Sequence, residues 1–260
     1  MNKINSRLVN FDVIYEKINR KHAHIEGITV AVSLFNYEKF VAECLDSIHA
    51  QIHKYIEIIV IDDCSTKDDS VGAVKKWMEI HNNRFDRATL IKHSRNQGLA
   101  EARNTAFDYS RTDLVFVIDA DNMIYPRALG RLYDVMRNRE FDAAYTQHEH
   151  FGDVTRLGHS EVWNKRHFVH GNYVDAMALI SKRSWAQVQG YTHMEGGWED
   201  YDFWCKFVDA GMTAAYVPEI LCRYRVHGIS MLRQDTAPAT KRLMIEMIMR
   251  HPWLKLDTDF

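Results

Sequence analysis

Residues 114–122 read LVFVIDADN. Five consecutive apolar residues, Leu114 to Ile118, are the pattern of a strand covered on both faces. The run stops at Asp119-Ala120-Asp121. Two carboxylates one residue apart at the end of a buried strand suit a hard divalent cation. Mg²⁺ and Mn²⁺ take oxygen ligands and bridge protein carboxylates to substrate phosphates. Without such a cation the pair repels and loses hydration. The competing local reading is a solvated acidic turn helped by Asn122.

Upstream, the chain alternates apolar strands with helical patterns. Ile28–Leu34, Ile56–Ile61, Leu90–His93 and Ala143–His150 read as further strands. Between them, Lys39–Gln51, a stretch opened by the N-cap cluster Ser65, Thr66, Asp68 and Asp69 and running to about His81, and Gly98–Tyr109 read as helices; a helix with Pro126 in its first turn runs to about Arg139. This order predicts an α/β fold with a mostly parallel central sheet flanked by helices. Ligands of such sheets bind outside the carboxyl ends of the strands. Asp62, Asp63, Asp119 and Asp121 all fall at carboxyl ends.

After residue 151 the pattern changes. Residues 151–173, FGDVTRLGHSEVWNKRHFVHGNY, read as a long functional loop in a smaller subregion. Strands follow at Ala176–Ile180, Thr213–Val217 and Leu221–Val226, with helices at Ser184–Val188 and Glu199–Ala210. The expected organisation is an N-terminal extension, 1–26, of helical character; a domain over 27–235, divided at 125/126; and a C-terminal helix within 236–260.

The chain has 260 residues, 46% hydrophobic and 26% charged, an ordinary globular balance. A formal net charge of −2 argues against a nucleic-acid partner. No apolar run approaches the roughly 18–20 residues of a membrane span. The four cysteines form no CxxC pair, which favours free thiols over a disulfide framework or a zinc site. A cytoplasmic location is expected, with peripheral contact at the inner face of a membrane left open.

Several residues at predicted strand exits and helix starts carry chemistry. Phe35 suits stacking on a nucleobase, or equally a place in the core. Asp63 suits a base or ribose, while Asp62 orients its loop. Arg103, in RNQGLAEARN (95–104), reaches a diphosphate or stays a solvated helix arginine. In GGWEDYDFW (196–204), Gly196 and Gly197 permit close backbone approach. Trp198 offers a sugar platform there. Glu199 and Asp200 open a helix, whose dipole favours ionised carboxylates. In YRVHGIS (224–230), His227 is a third metal or phosphate ligand or a structural histidine.

Six stretches occur in one order: VSLFNYEKFVAECLDSI, IIVIDDCSTKD, NQGLAEARN, VFVIDADN, WEDYDFWCKFVDAG and YRVHGIS. Together, over about residues 28–230, they resemble the family-2 glycosyltransferases of the GT-A nucleotide-sugar-binding fold. The resemblance implies metal-dependent, inverting transfer of a sugar from a nucleoside diphosphate sugar to an acceptor hydroxyl. By match, Phe35 and Asp63 hold the base and Arg103 meets the donor phosphates, with Asp119 also counted among the nucleotide-binding residues. Asp119 and Asp121 form the DxD motif for Mn²⁺ or Mg²⁺, with His227 as an additional metal ligand. Asp200 is the catalytic base; Glu199 and Trp198 are acceptor-side neighbours. Cys64 stands where the family usually has Gly, and Ser33 where it has Pro. The QxxRW motif of processive synthases is absent, which favours single addition. The implied acceptor is a glycan, glycolipid or glycoprotein, in bacterial-type surface glycan or glycoconjugate synthesis.

Two rivals stand beside this reading. A haloacid-dehalogenase-type phosphatase would carry DxD on its first strand, whereas here three strands precede it. A non-catalytic nucleotide-sugar-binding module would not require Asp200. No GxGxxG follows a strand and no GxxxxGK[ST] occurs, which disfavours dehydrogenases and P-loop enzymes.

Overall fold

The computed structural model describes residues 9–228 and 236–258. Its centre is a ten-stranded sheet. Four neighbouring strands are parallel: β4 (Arg87–His93), β3 (Ile56–Asp62), β2 (Ile28–Leu34) and β5 (Leu114–Asp119), in that order. Every residue of β2 and β3 is buried, as continuous apolar runs require when both faces are covered. Alternation then divides the side chains. Ile28, Val30, Val32 and Leu34 face one core with α1 (Glu38–His49), α2 (Ser70–His81) and α4 (Ala128–Met136). Ala31 faces the other, with α3 (Leu99–Tyr109), α7 (Glu199–Asp209) and α8 (Ala237–Arg250).

The second half of the sheet is mixed. β9 (Ala178–Ser181) runs antiparallel between β5 and β7 (Ala143–Gly152). β10 (Ala214–Val226) is parallel to β7, and β6 (Met123–Ile124) closes that edge antiparallel to β10. The expected strands at 213–217 and 221–226 are one strand. Its register slips between Val217 and Ile220 and again before Cys222. Pro218 lies in the first slip, where its missing N–H breaks no ladder bond. The loop after β7 pairs briefly through β8 (Arg156–Leu157) and holds one short helix, α5 (Lys165–Phe168). α6 (Lys182–Gln187) follows β9.

Of the N-terminal extension expected to be helical, residues 1–8 lie outside the described residues, and over the described remainder the expectation is corrected. Phe11–Ile18 forms β1, antiparallel to β4 at the sheet's other edge. FDVIYEKI places apolar residues on both parities, so neither period stands out. A bulge between Val13 and Tyr15 lets Ile14 and Tyr15 both pack on the first core. Glu16 accepts from Arg87 at 2.7 Å across the new edge.

Register aligns the strand ends. Leu34 pairs with Asp62, and Ser33 with Asp119, so the exits of β2, β3 and β5 open at one rim. α7 reaches this rim at its start and is held elsewhere by Asp202. This fully buried carboxylate accepts from Arg250 Nε at 2.5 Å and lies 3.1 Å from His251 Nε2. His251 Nδ1 lies 2.6 Å from Asp209. The chain end is thereby fastened to α7.

Burial would raise the pKa of Asp202, but the bonds from His251 and Arg250 hold it well below the usual carboxylate range. Its stabilising contribution is therefore present above about pH 4 and lost as pH falls towards the depressed folded value. Asp202→Asn should cost about 2–4 kcal/mol, less than a fully buried pair because Arg250 is partly exposed. Urea denaturation at pH 7 and pH 3 checks this: the deficit should be clear at pH 7 and shrink at pH 3.

Candidate functional site

β5 delivers Asp119 to the rim, and the next residues turn. Ala120 N–H donates to Ser33 O, and Asn122 N–H to Asp119 O, both at 3.0 Å. Asp119 and Asp121 then line one cleft of about 1150 Å³. β10 fixes the turn from the side. Arg225 Nε donates to the Asp121 carbonyl at 2.7 Å, and Arg225 N–H to Asn122 Oδ1 at 2.9 Å. His227 Nε2 lies 2.9 Å from Asp121 Oδ2. His227 Nδ1 is buried and has no hydrogen-bond partner among the described residues, its ring tilted on Phe40.

Arg103 departs from the expectation that it reaches a diphosphate. From α3 its Nη1 donates to Glu199 Oε1 at 2.7 Å, and its Nη2 to both Asp119 oxygens at 3.1 and 3.2 Å. The side chain is buried and does not line the cleft. Burial disfavours the cation, yet Asp119 and Glu199 raise its pKa above normal, so the bridge is ionic. Burial pushes Asp119 up to about 6; Arg103 opposes that shift, while Asp121 and Glu199 add to it.

The nucleotide edge is built by β2 and β3. Phe35 is exposed on the cleft wall, not in the core. Asn36, at φ +57°, accepts from the N–H groups of Thr66 and Lys67 at 3.0 Å each. Asp63 also lines the cleft, but most of its carboxylate is occupied. It accepts from Gln97 N–H at 2.8 Å and Gly98 N–H at 2.7 Å, and lies 2.7 Å from His93 Nδ1. Gly98 is required there: its φ is +89°, and a Cβ would meet the His193 ring at 2.6 Å. Asp62 accepts from Ser65 N–H at 3.0 Å, the loop-orienting role expected of it. Cys64 adopts φ +65°, a conformation in which glycine is at ease.

At the start of α7, Gly196, Gly197 and Trp198 all have positive φ. Trp198 packs edge-on against Tyr201 and does not line the cleft, whereas Glu199 does. Asp200 turns outward: Oδ1 accepts from Tyr201 N–H at 2.8 Å, and Oδ2 from Asn172 of the long loop at 3.0 Å. The helix start was expected to favour ionisation. Instead burial, reinforced by Glu199 and Asp175, pushes Asp200 up to about 7. Burial, with the neighbouring carboxylates, outweighs the dipole here.

The rim thus brings together Phe35, Asp63, Asp119, Asp121 and Glu199, with Arg103 and His227 behind the acids and Asp200 beside the loop. Sequence reasoning missed Tyr224, Lys67 and Arg242, which line the cleft, and Arg225. Arg225 was legible in part: it precedes His227 by two and so shares its side of β10. Among the described residues no cluster of three His, Cys, Asp or Glu side chains is preassembled for a metal. Two cleft-facing carboxylates nonetheless fit a hard cation whose remaining ligands are phosphate oxygens and water.

A family model described as glycosyl transferase family 2 matches residues 29–182. GlyA of Streptococcus pneumoniae, a glycosyltransferase, is 33% identical over 128 residues, covering 49% of this chain and 18% of that relative. EpsE of Bacillus subtilis, a putative glycosyltransferase, is 25% identical over 219 residues, 80% of this chain and 76% of that relative. The chain thus spans a minor part of GlyA and most of EpsE. Among solved structures, S. aureus TarS 1-349 in complex with UDP-GlcNAc is similar at TM-score 0.69 and 16% identity, over 85% of this chain and 66% of that one. The mannosyltransferase PcManGT of Pyrobaculum calidifontis, in complex with GDP-Man and Mn²⁺, is similar at TM-score 0.62 and 20% identity, over 86% and 62%. At these identities the structures establish a shared fold.

Removing the Asp63 carboxylate strands two backbone N–H groups and a buried histidine. Asp63→Ala should therefore cost about 2–4 kcal/mol of stability. Chemical denaturation checks it; a loss under about 0.5 kcal/mol would show that the Gln97–Gly98 turn finds other partners.

Proposed function

The chain belongs to glycosyl transferase family 2, and on that premise we propose that it moves a sugar from a nucleoside diphosphate sugar to an acceptor hydroxyl with inversion. The observation that carries this reading is the rim itself. Two carboxylates from one strand end line a cleft, and a third, Asp200, lies just outside it with its pKa raised to about 7. Phe35 stacks on the base from the exposed wall. Asp63 holds the Gln97–Gly98 turn in place and offers its remaining acceptor capacity to the base or ribose.

Asp119 and Asp121 would hold a divalent cation, with His227 at Asp121 as a third group. When bound, that cation supplies positive charge to the departing diphosphate. Manganese in PcManGT supports a divalent ion here. Arg103 keeps Asp119 and Glu199 in register and relieves their mutual repulsion.

The acceptor oxygen attacks the anomeric carbon from the face opposite the diphosphate. As that C–O bond forms, the acceptor proton passes to an Asp200 oxygen, and the bond to the diphosphate breaks with its electron pair leaving on phosphate oxygen. A carboxylate base with pKa near 7 matches proton transfer at neutral pH. Asn172 orients it from the 151–175 loop, which we assign to acceptor selection with Trp198 behind. The acceptor class we favour is a glycan, glycolipid or glycoprotein hydroxyl in bacterial surface glycan synthesis.

Asp200→Asn should lower transfer about 10²–10⁴-fold with little change in nucleotide affinity. Asp200 works as the carboxylate and its pKa is raised, so the rate should climb about tenfold per pH unit below about 7 and level off above. Glu199→Gln tests the neighbour; near-normal transfer by Asp200→Asn with inactive Glu199→Gln would move the base to Glu199. Asp121→Ala should abolish the gain that Mn²⁺ gives to nucleoside diphosphate binding. Calorimetry on the folded variant showing an unchanged gain would remove the metal from these residues.

A further inference from the structure

We propose that Arg242, on α8, is the side-chain cation that meets the donor diphosphate; this rests on reading the cleft as a nucleoside diphosphate site. Charge in the cleft makes such a group necessary. Its described lining includes six acids, Asp63, Asp68, Asp119, Asp121, Glu195 and Glu199, against two Lys or Arg side chains, Lys67 and Arg242. A diphosphate adds further negative charge, and a cation at Asp119 and Asp121 offsets only part of it. Arg103 is set aside because its side chain is buried behind the cleft wall and does not line the cleft.

Of the two candidates, Lys67 belongs to the base side. Its N–H is held by Asn36, next to Phe35. Arg242 stands on another element, beside the loop that leads through Gly196 and Gly197 to Glu199. One of its terminal nitrogens donates to the Glu195 carbonyl, and the other lies 3.4 Å from Glu246 in a half-exposed pair. A guanidinium has five donors in a planar fork, so several remain for phosphate oxygens. Its placement is fixed by its own helix. Leu243 and Met247 are fully buried, which sets the rotation of α8, and Arg250 and His251 fasten its far end to Asp202. Arg242 is thus presented to the cleft from an anchored helix, at an exposed position with donors to spare. Pro238 and Ala239, one turn earlier, line the same wall.

The test compares the full chain with Arg242→Gln and Arg242→Lys. Calorimetry with UDP and GDP in Mn²⁺ gives the diphosphate affinity. Ligand-observed NMR with uridine and guanosine gives the nucleoside affinity. Arg242→Gln should weaken the bound diphosphate about 10- to 100-fold, the range of a charged hydrogen bond, and leave the nucleoside unchanged. Arg242→Lys, which keeps the charge without the fork, should fall between. If Arg242→Gln melts early, Arg242→Lys at wild-type stability decides. An unchanged diphosphate affinity, or equal losses for diphosphate and nucleoside, overturns the role of Arg242 alone. A wild-type chain that binds neither UDP nor GDP overturns the donor reading, and this assignment with it.

Discussion

One buried guanidinium organises this rim. Arg103 comes from a helix, Asp119 from a strand end and Glu199 from a second helix, and these groups are far apart in sequence. Without the arginine, two desolvated acids would face each other across the sheet's edge. With it, α3, β5 and α7 share one ionic contact, and Asp200, next to Glu199, takes its place from the same joint. Replacing buried ion pairs with apolar groups is often harmless to stability, so the value of the bridge lies in registry. It leaves one net negative charge, which suits a site that must attract a divalent ion.

A second consequence concerns α7. Its first residues carry the acids of the rim, and Asp202, two residues after Asp200, receives the end of α8. Chemistry and anchorage thus alternate along a single helical turn. The depressed pKa of Asp202 and the raised pKa of Asp200 show environment overriding residue type. Both are aspartates on one helix. One meets a histidine and an arginine, and the other is buried beside two carboxylates.

The fold was legible where runs were long. IEIIVI and LVFVI lie on buried strands because nothing else fits them. It was illegible where tertiary contact decides. FDVIYEKI forms a strand because β4 offers an edge and a bulge rescues its mixed parity. The sequence pattern broke β10 into two strands around 218–220, but register slips absorb that stretch. The acids of the rim were visible as strand-end residues, and their position is as expected. Their partners were not: no local pattern says that Arg103 turns to Asp119, or that Asp63 serves the Gln97–Gly98 turn. Trp198, read as a sugar platform, lies against Tyr201 because a left-handed backbone at 198 swings it inward.

Cys64 stands where a glycine would sit without strain, between Asp63 and the loop that Asp62 orients. Cys44, Cys205 and Cys222 are buried, and Cys64 alone is partly open to solvent. The wild-type sequence therefore carries a single addressable thiol, beside the nucleotide edge. A maleimide dye would label this protein at one place without removing any other cysteine. Its emission would report on the wall where a base is expected to stack.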